Sequence, residues 1–219
     1  MTESFALAIF DLDGTLIDSL PDIAAALNRT LIDAGHAPLP PAQVAGYVGD
    51  GAAKLLQRAL PDDTPSEILD DLGRHFRAAY AAHLHDETRP YPGLEPVLAA
   101  MARAMPLAVI TNKPSVLARP LLAGLGLDEY FADIIGDGDG FARKPDPAAG
   151  AWLLKRHGVR DPQRVLVVGD GLPDMRFARA LGARSAAVTW GYVVRAALAA
   201  EQPTWIIDAP AQMLAIIEE

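Results

Sequence analysis

The sequence of 219 residues is 51% apolar, which is enough to bury a substantial core, and its length predicts one or two domains. Its formal net charge of -9 argues against nucleic acid as a partner, because an acidic protein has no general attraction for phosphate backbones. The absence of cysteine excludes disulfides and thiolate metal ligands, and the absence of a long apolar run or signal-peptide pattern predicts a cytoplasmic protein with no membrane partner.

The first predicted element is a strand over residues 6–10, and two carboxylates follow it closely. The strand is a continuous apolar run, as expected where both faces of a sheet are covered. Asp13 precedes Gly14, and that pair alone is typical of a turn. A turn does not explain Asp11, so the crowding of two like charges at the end of a buried strand needs a further cause.

An alanine-rich region between residues 20 and 87 predicts helices and no strand. Ser19 is placed to cap the first helix, with Pro21 in its first turn and Gly35 at its end. Apolar periodicity predicts further helices over residues 42–47, 52–60 and 66–83. We therefore expect a small all-helical domain over residues 18–87, inserted into a core domain formed by residues 1–17 and 88–219.

After residue 94 the sequence alternates between helical stretches and short apolar runs. Helices are predicted near the C-terminus and over residues 94–105, 116–125, 148–157 and 174–181. Strands are predicted over residues 107–110, 134–135, 165–168, 185–189 and 205–207. This alternation is typical of an α/β fold in which a doubly wound parallel sheet has helices on both faces.

Polar side chains follow the predicted strands at four places along the chain. In an open parallel sheet the binding crevice lies at the carboxyl ends of the strands, so we expect these side chains on one rim. They are Asp11, Asp13, Thr111, Asn112, Lys113, Lys144, Asp170 and Asp174.

Four motifs at these strand ends carry a resemblance to a known family. The chain resembles the haloacid dehalogenase-like phosphatases over essentially its whole length. The motifs that carry the resemblance occur in the order of that family, and they are F-D-L-D-G-T-L-I-D-S, I-T-N-K, K-P-D-P and V-G-D-G-L-P-D. It is similar to the phosphoglycolate phosphatase group of that superfamily in L-I-D-S-L-P-D-I-A-A-A-L-N, Y-V-G-D-G-A and R-P-Y-P-G. The resemblance implies a Rossmann-like core, a helical cap domain and phosphatase activity.

The chemistry of phosphate esters suggests roles for the four aspartates. Asp11 is ionised at neutral pH and can attack phosphorus once its repulsion from the substrate is cancelled. Mg²⁺ prefers carboxylates and phosphate oxygens, and Asp11 and Asp170 are its expected side-chain ligands. The resemblance adds the backbone carbonyl of Asp13 as a metal ligand. Asp174 is expected to support the metal site by orienting waters or Lys144.

Further residues are expected to handle the proton and the phosphoryl group. The Asp13 carboxyl is expected to protonate the leaving oxygen and to take a proton from the attacking water. Thr111 offers a hydroxyl and a backbone N–H to phosphoryl oxygens near a helix start, and Lys144 supplies a fixed positive charge. Asn112 and Lys113 either face the substrate or close a turn, and the sequence leaves both interpretations open.

Residues of the predicted cap are candidates for binding the rest of the substrate. Gly49, Asp50 and Gly51 form a loop before a helix that carries Lys54 and Arg58 on one face. An arginine fork suits a carboxylate, so Arg58 is a candidate for binding a carboxylate of the substrate. Lys54 is interpreted as part of a solvated face.

The sequence predicts an Mg²⁺-dependent phosphatase that forms an aspartyl phosphate on Asp11. Its substrate would be a small phosphorylated metabolite, with 2-phosphoglycolate as the first hypothesis. Gly171 stands where the phosphoglycolate phosphatase group commonly has serine or threonine, which predicts weaker hydrogen bonding near the metal but no loss of function.

Several alternatives stay open at this point. They are a pyrophosphatase, a nucleotide or sugar phosphatase, a phosphosugar mutase, a non-hydrolytic aspartyl-phosphate switch and a binding protein. The mutases resemble this chain but carry a histidine early in the first cap helix, and residues 22–27 contain none. The oligomeric state is open between a monomer and a homodimer.

Overall fold

The computed structural model describes residues 4–218, and a six-stranded parallel sheet forms its centre. The strands are, in chain order, β1 (Leu7–Phe10), β2 (Ile17–Asp18), β3 (Arg89–Pro90), β4 (Leu107–Pro114), β5 (Asp133–Asp137), β6 (Val165–Gly169), β7 (Arg184–Val188) and β8 (Trp205–Ile207). Across the main sheet the order is β5-β4-β1-β6-β7-β8, and every neighbouring pair is parallel. The short strands β2 and β3 form a separate antiparallel pair.

Helices connect these strands. They are, in chain order, α1 (Leu20–Asp33), α2 (Pro41–Ala45), α3 (Ala52–Ala59), α4 (Ser66–Ala82), α5 (Leu94–Ala104), α6 (Ser115–Gly124), α7 (Ala148–Arg156), α8 (Leu172–Leu181), α9 (Arg195–Ala200) and α10 (Gln212–Glu218). Helices α1–α4 follow one another between β2 and β3, whereas α5–α10 alternate with the strands of the main sheet. Among the described residues, no helix combines the length and apolarity that crossing a membrane requires.

Strand β1 shows why its apolar run is continuous. Ala8 and Phe10 belong to a buried cluster that includes side chains of α5, α6 and α10, whereas Leu7 and Ile9 belong to a second cluster with side chains of α7 and α8. Because side chains alternate along a strand, helices must cover both faces of the sheet. The predicted doubly wound α/β fold is therefore confirmed, and a fully buried core fixes the strand end that carries Asp11.

The helical segment α1–α4 joins the core through β2 and β3, which lie side by side. The Asp22 carboxylate, buried at the start of α1, accepts hydrogen bonds of 2.9–3.1 Å from the backbone N–H groups of Glu87 and Thr88. It also accepts a 2.7 Å hydrogen bond from the Thr88 hydroxyl. These hydrogen bonds therefore link the segment where the chain leaves the core to the segment where it returns. The division into a core and a cap of residues 18–87 stays a prediction.

Three local features differ from what the sequence predicts. Strand β4 continues beyond residue 110, because the chain shifts register and pairs again at Pro114 and Asp137. The polar residues expected after this strand therefore lie within it. Ser19 precedes α1 as expected, but its side chain makes no capping bond and donates to Asp13 instead. The β2–β3 pair and α9 were not predicted, because segments this short show no periodicity.

Candidate active site

Three strands of the main sheet end at one rim and bring distant carboxylates together. Strand β1 lies between β4 and β6, with Phe10 opposite Val109 and Val168. Asp11 follows Phe10 directly, and its N–H donates to the carbonyl oxygen of Val168 at 2.9 Å. Asp170 follows the last residue of β6. The parallel register therefore places Asp11 next to Asp170.

Three acidic side chains gather at this rim, and we call them the carboxylate cluster: Asp11, Asp170 and Asp174. Carboxylate oxygens of the three lie within 4.8 Å of one another. The buried Lys144 ammonium contacts Asp11 at 2.7 Å and Asp174 at 2.6 Å. Three acidic groups thus face one ammonium, which leaves an excess of negative charge in a largely buried place.

The pKa values of the carboxylate cluster follow from this imbalance. Burial, followed by the charge of Asp174, raises the pKa of Asp11 to about 6, although Lys144 opposes the rise. Burial and the charges of Asp11 and Asp174 raise the pKa of Asp170 to about 8. Both carboxylates are costly to ionise until a cation compensates them. Oxygen ligands with excess negative charge fit a hard divalent cation, which would lower both pKa values.

Asp170 is held by two donors and by two glycines that leave it room. The Thr15 hydroxyl donates to its carboxylate at 3.0 Å, and the Tyr192 backbone N–H donates at 2.8 Å. A Cβ at Gly14, where φ is +84°, would lie 2.3 Å from an Asp170 oxygen. A Cβ at Gly191 would lie 2.3 Å from the Asp170 Cβ. Both loops can approach Asp170 this closely only because they carry glycine.

Asp174 is bound on both of its oxygens. It lies in the first turn of α8, where one oxygen accepts from the Gly171 backbone N–H at 2.9 Å and the other from Lys144. Position 171 lacks the side-chain hydroxyl common in the resembling group, but its backbone donor is in place. The weaker hydrogen bonding expected from Gly171 stays a prediction.

A second aspartate–lysine pair lies beside the carboxylate cluster, and here the charges balance. The Lys113 ammonium contacts the two oxygens of Asp13 at 2.8 and 3.1 Å and donates to the Tyr80 hydroxyl at 2.6 Å. The Ser19 hydroxyl donates to Asp13 at 2.5 Å. Burial lowers the pKa of Lys113, but its interactions with Asp13 and Tyr80 together outweigh burial, so the pKa rises and the ammonium persists. We call these four residues the Asp13 centre.

A small cavity of about 50 Å³ separates this rim from the helical segment. Its polar wall contains Asp11, Asp13, Tyr80, Thr111, Asn112 and Lys113. Its apolar wall contains Ile23, Val48, Leu55, Phe76 and Leu117, and the loop glycines Gly49 and Gly51 complete it. Lys113 therefore lines a small space together with two aspartates, three neutral polar residues and several apolar side chains.

Thr111 and Asn112 differ in how free their side chains are. The Thr111 hydroxyl accepts from the Lys113 backbone N–H at 3.2 Å, which leaves its proton available to a ligand. The Asn112 amide donates to the Gly49 carbonyl at 2.9 Å and accepts from the Lys144 N–H at 2.8 Å. Asn112 thus ties the glycine loop and the Lys144 loop to β4.

Arg58 and Asp50 do not line the small cavity that Lys113 lines. They line a wider cavity of about 270 Å³ that shares Asp11 and Asp13 with the small one and also contacts Asp170 and Asp174. The Arg58 guanidinium is paired with Asp50 and donates to the Tyr47 carbonyl at 3.1 Å. Both side chains are 38% exposed. An internal carboxylate therefore holds the guanidinium that the sequence suggested for a substrate carboxylate.

Sequence reasoning missed four residues of the site. Thr15 belongs to the first motif, and Tyr192 belongs to a V-T-W-G-Y segment that resembles the same family. The sequence therefore pointed to both residues but predicted no role for either. Ser19 was assigned to a helix cap. Tyr80 carried no signal, because its place on the apolar face of α4 is explained by packing alone.

Comparisons with known proteins agree with the geometry. The family model for haloacid dehalogenase-like hydrolases matches residues 5–182. Phosphoglycolate phosphatase from Neisseria meningitidis is 41% identical over 91% of this chain and 88% of its own. Phosphoglycolate phosphatase from Agrobacterium fabrum is 42% identical over 85% of this chain and 81% of its own. The crystal structure of a predicted phosphoglycolate phosphatase from Haemophilus somnus is 33% identical, with a TM-score of 0.91 over 99% of both chains.

Proposed function

The chain belongs to the haloacid dehalogenase-like hydrolase family, and from that premise we propose that it hydrolyses 2-phosphoglycolate to glycolate and phosphate. Relatives about 40% identical over most of the chain are phosphoglycolate phosphatases, which are phosphoric monoester hydrolases. The single observation that carries the mechanism is the charge imbalance of the carboxylate cluster, where three acidic side chains meet one ammonium beside a small cavity.

We assign Mg²⁺ to the carboxylate cluster as the metal of the reaction. Asp11, Asp170 and the backbone carbonyl of Asp13 would hold it, and Asp174 would orient its waters and Lys144. When bound, it supplies the positive charge that offsets repulsion between the Asp11 carboxylate and the phosphoryl oxygens. The hard oxygen donors and the raised pKa values of Asp11 and Asp170 support this assignment.

The proposed reaction has two displacement steps at phosphorus. In the first, a carboxylate oxygen of Asp11 bonds to phosphorus, the bond from phosphorus to the leaving oxygen breaks, and Asp13, which enters this step in its protonated form, gives that oxygen its proton. In the second, a water oxygen attacks phosphorus, Asp13 takes a water proton, and the bond from phosphorus to Asp11 breaks. The Thr111 hydroxyl and the Lys144 ammonium stabilise the phosphoryl oxygens in both steps. One water is consumed, and glycolate and phosphate leave.

The cavity beside Asp13 is the proposed place of the leaving group. Residues 18–87, the proposed cap, contribute much of its wall, so the cap sets the size of the group that fits. Glycolate carries a carboxylate, which needs a cation in a buried site. Lys113 is the first candidate because it lines the small cavity beside Asp13, with which it is paired. Arg58 is the second candidate, because it is paired with Asp50 in the same way but lines only the wider cavity.

The test compares two substrates that differ in one group. Initial rates are measured with 2-phosphoglycolate and with hydroxyethyl phosphate, which carries a hydroxymethyl group in place of the carboxylate. In Lys113→Met, kcat/KM for 2-phosphoglycolate falls at least about tenfold more than for the neutral analogue. Arg58→Met is the control and lowers both rates equally, by a small factor.

Two results would contradict the proposal. If the wild-type protein prefers hydroxyethyl phosphate, or retains full activity on 2-phosphoglycolate in a chelator, then the substrate or the metal is wrong. If the selective loss occurs in Arg58→Met and not in Lys113→Met, then the arginine binds the carboxylate and the assignment of Lys113 is wrong.

A further inference from the structure

Ser19 occupies the position before helix α1 but does not cap it. Serine at this position normally accepts a hydrogen bond from a backbone N–H of the first turn. Here the side chain makes no such bond, and the hydroxyl donates its proton to an oxygen of Asp13 at 2.5 Å. The residue that sequence reasoning assigned to the helix is thus used by the Asp13 centre.

Tyr192 binds the backbone at the start of α1. Its phenol oxygen accepts from the backbone N–H groups of Ser19 at 2.9 Å and Leu20 at 3.0 Å, and its hydroxyl donates to Asp18 at 3.2 Å. The backbone N–H of the same residue donates to Asp170 at 2.8 Å. One residue of the loop after β7 therefore contacts both the carboxylate cluster and the first turn of α1.

The aim of the Asp13 carboxylate depends on few donors. The Lys113 ammonium binds both of its oxygens but also donates to the Tyr80 hydroxyl on α4. The Ser19 hydroxyl, between β2 and α1, binds one of the two oxygens. A group that transfers a proton must be held within hydrogen-bonding reach of the reacting oxygen. Loss of one of these donors would let the carboxylate turn.

We propose that Ser19 is a positioning residue that aims the Asp13 carboxylate, and that Tyr192 holds Ser19 in place for this task by accepting a hydrogen bond from its backbone N–H. The inference rests on the proton-transfer role proposed for Asp13. Without the Tyr192 hydroxyl, the Ser19 N–H loses its acceptor, whereas the Leu20 N–H keeps Asp18. The backbone of Ser19 can then shift, and its hydroxyl, which also lies 3.4 Å from the Tyr192 oxygen, shifts away from Asp13 with it.

The experiment measures kcat, KM and thermal midpoint for Ser19→Ala, Ser19→Thr, Tyr192→Phe and the double variant Ser19→Ala with Tyr192→Phe. Ser19→Ala and Tyr192→Phe each lower kcat about tenfold and change KM less than about twofold, as expected for one lost hydrogen bond to a charged group. Ser19→Thr keeps the hydroxyl and restores kcat to within about threefold of the wild type. The kcat of the double variant is no lower than that of the less active single variant, because both substitutions remove the same hydrogen bond between Ser19 and Asp13.

Stability and metal binding separate this role from a purely structural one. Tyr192→Phe lowers the thermal midpoint more than Ser19→Ala, because the phenol accepts hydrogen bonds from two backbone N–H groups and the serine hydroxyl accepts from none. It leaves the affinity for Mg²⁺ unchanged, because the backbone N–H on Asp170 remains. Thr30→Val is the matched control, since it removes a buried hydroxyl of α1 that binds only the Ala26 carbonyl. It lowers the midpoint and leaves kcat intact.

The inference is overturned if Ser19→Ala retains wild-type kcat, or if the losses of the two single variants add in the double variant. A fall in Mg²⁺ affinity in Tyr192→Phe also overturns it, because Tyr192 would then act through Asp170. These failures differ from failure of the proposed function, which shows as full turnover in Asp11→Asn. If Asp11→Asn and Asp13→Asn are inactive while Ser19→Ala keeps the wild-type kcat, only the positioning role of Ser19 is ruled out.

Discussion

The two aspartate–lysine sites at the rim differ in charge balance. The carboxylate cluster sets three acidic side chains against the Lys144 ammonium, whereas the Asp13 centre sets one against the Lys113 ammonium. An unbalanced, buried centre attracts a cation from solvent, and a balanced one does not. Two aspartates one residue apart in sequence can therefore serve different chemistry, with metal and nucleophile on one side and proton transfer on the other.

The substitution Asp11→Asn tests the carboxylate cluster and is expected to have the largest effect on kcat. The amide keeps the shape of the side chain but cannot form the acyl phosphate, so kcat falls at least about 10⁴-fold. Phosphate release measures the loss, and a thermal midpoint near that of the wild type shows that the variant is folded. Turnover within tenfold of the wild type would remove Asp11 as the nucleophile.

The substitution Asp13→Asn tests the Asp13 centre, and its effect on the rate depends on the leaving group of the substrate. Loss of the proton donor lowers kcat about 10³-fold for an alkyl phosphate. The loss in the first displacement is much smaller for p-nitrophenyl phosphate, because its leaving oxygen needs no proton. The rate of leaving-group release in a single turnover, compared with the wild type for both substrates, gives the measurement. An equal loss on both in this step would contradict a role of Asp13 in protonating the leaving oxygen.

Removal of each lysine distinguishes the two centres by stability. Lys144→Met and Lys113→Met each break a buried ion pair, at a cost of about 3–5 kcal/mol in the free energy of unfolding. Because a divalent cation can replace Lys144 as the positive charge of the carboxylate cluster, Mg²⁺ restores much of the loss in Lys144→Met. It restores little in Lys113→Met. Chemical denaturation with and without Mg²⁺ measures both, and equal recovery would show that the centres do not differ as described.

The stability of the metal-free protein is expected to fall as pH rises. The pKa of Asp11 is raised to about 6 and that of Asp170 to about 8, each from 3.8. The folded protein thus binds these protons more tightly than the unfolded chain, so their contribution is present at low pH and is lost as pH rises through the raised values. The free energy of unfolding should fall between about pH 5 and pH 8 without metal, and less steeply with saturating Mg²⁺. A rise over this window would contradict the assigned imbalance.

The fold and the carboxylate cluster were predictable because local patterns determine them. Continuous apolar runs predict strands covered on both faces, and parallel pairing then brings Asp11 beside Asp170 whatever the loops do. The α/β fold and the phosphatase family are confirmed. The roles of the site residues stay predictions, since geometry places groups near one another without showing the reaction.

The contacts between the helical segment and the core were not predictable. Tyr80 reaches Lys113 from α4, and Tyr192 reaches Ser19 from the loop after β7, across separations of 33 and 173 residues. Such contacts depend on how one packed unit is oriented on another, which no periodicity within either unit records. Arg58 pairs with Asp50 within the helical segment, and its role in binding a substrate carboxylate stays a prediction.

A calorimetric titration with Mg²⁺ tests the central claim most directly, using the wild type, Asp170→Asn and Asp13→Asn. The charge imbalance predicts that the wild type binds Mg²⁺, that Asp170→Asn binds it at least about tenfold more weakly, and that Asp13→Asn, which keeps its backbone carbonyl, binds it nearly as well as the wild type. Undiminished binding by Asp170→Asn, together with loss of binding in Asp13→Asn, would contradict the account.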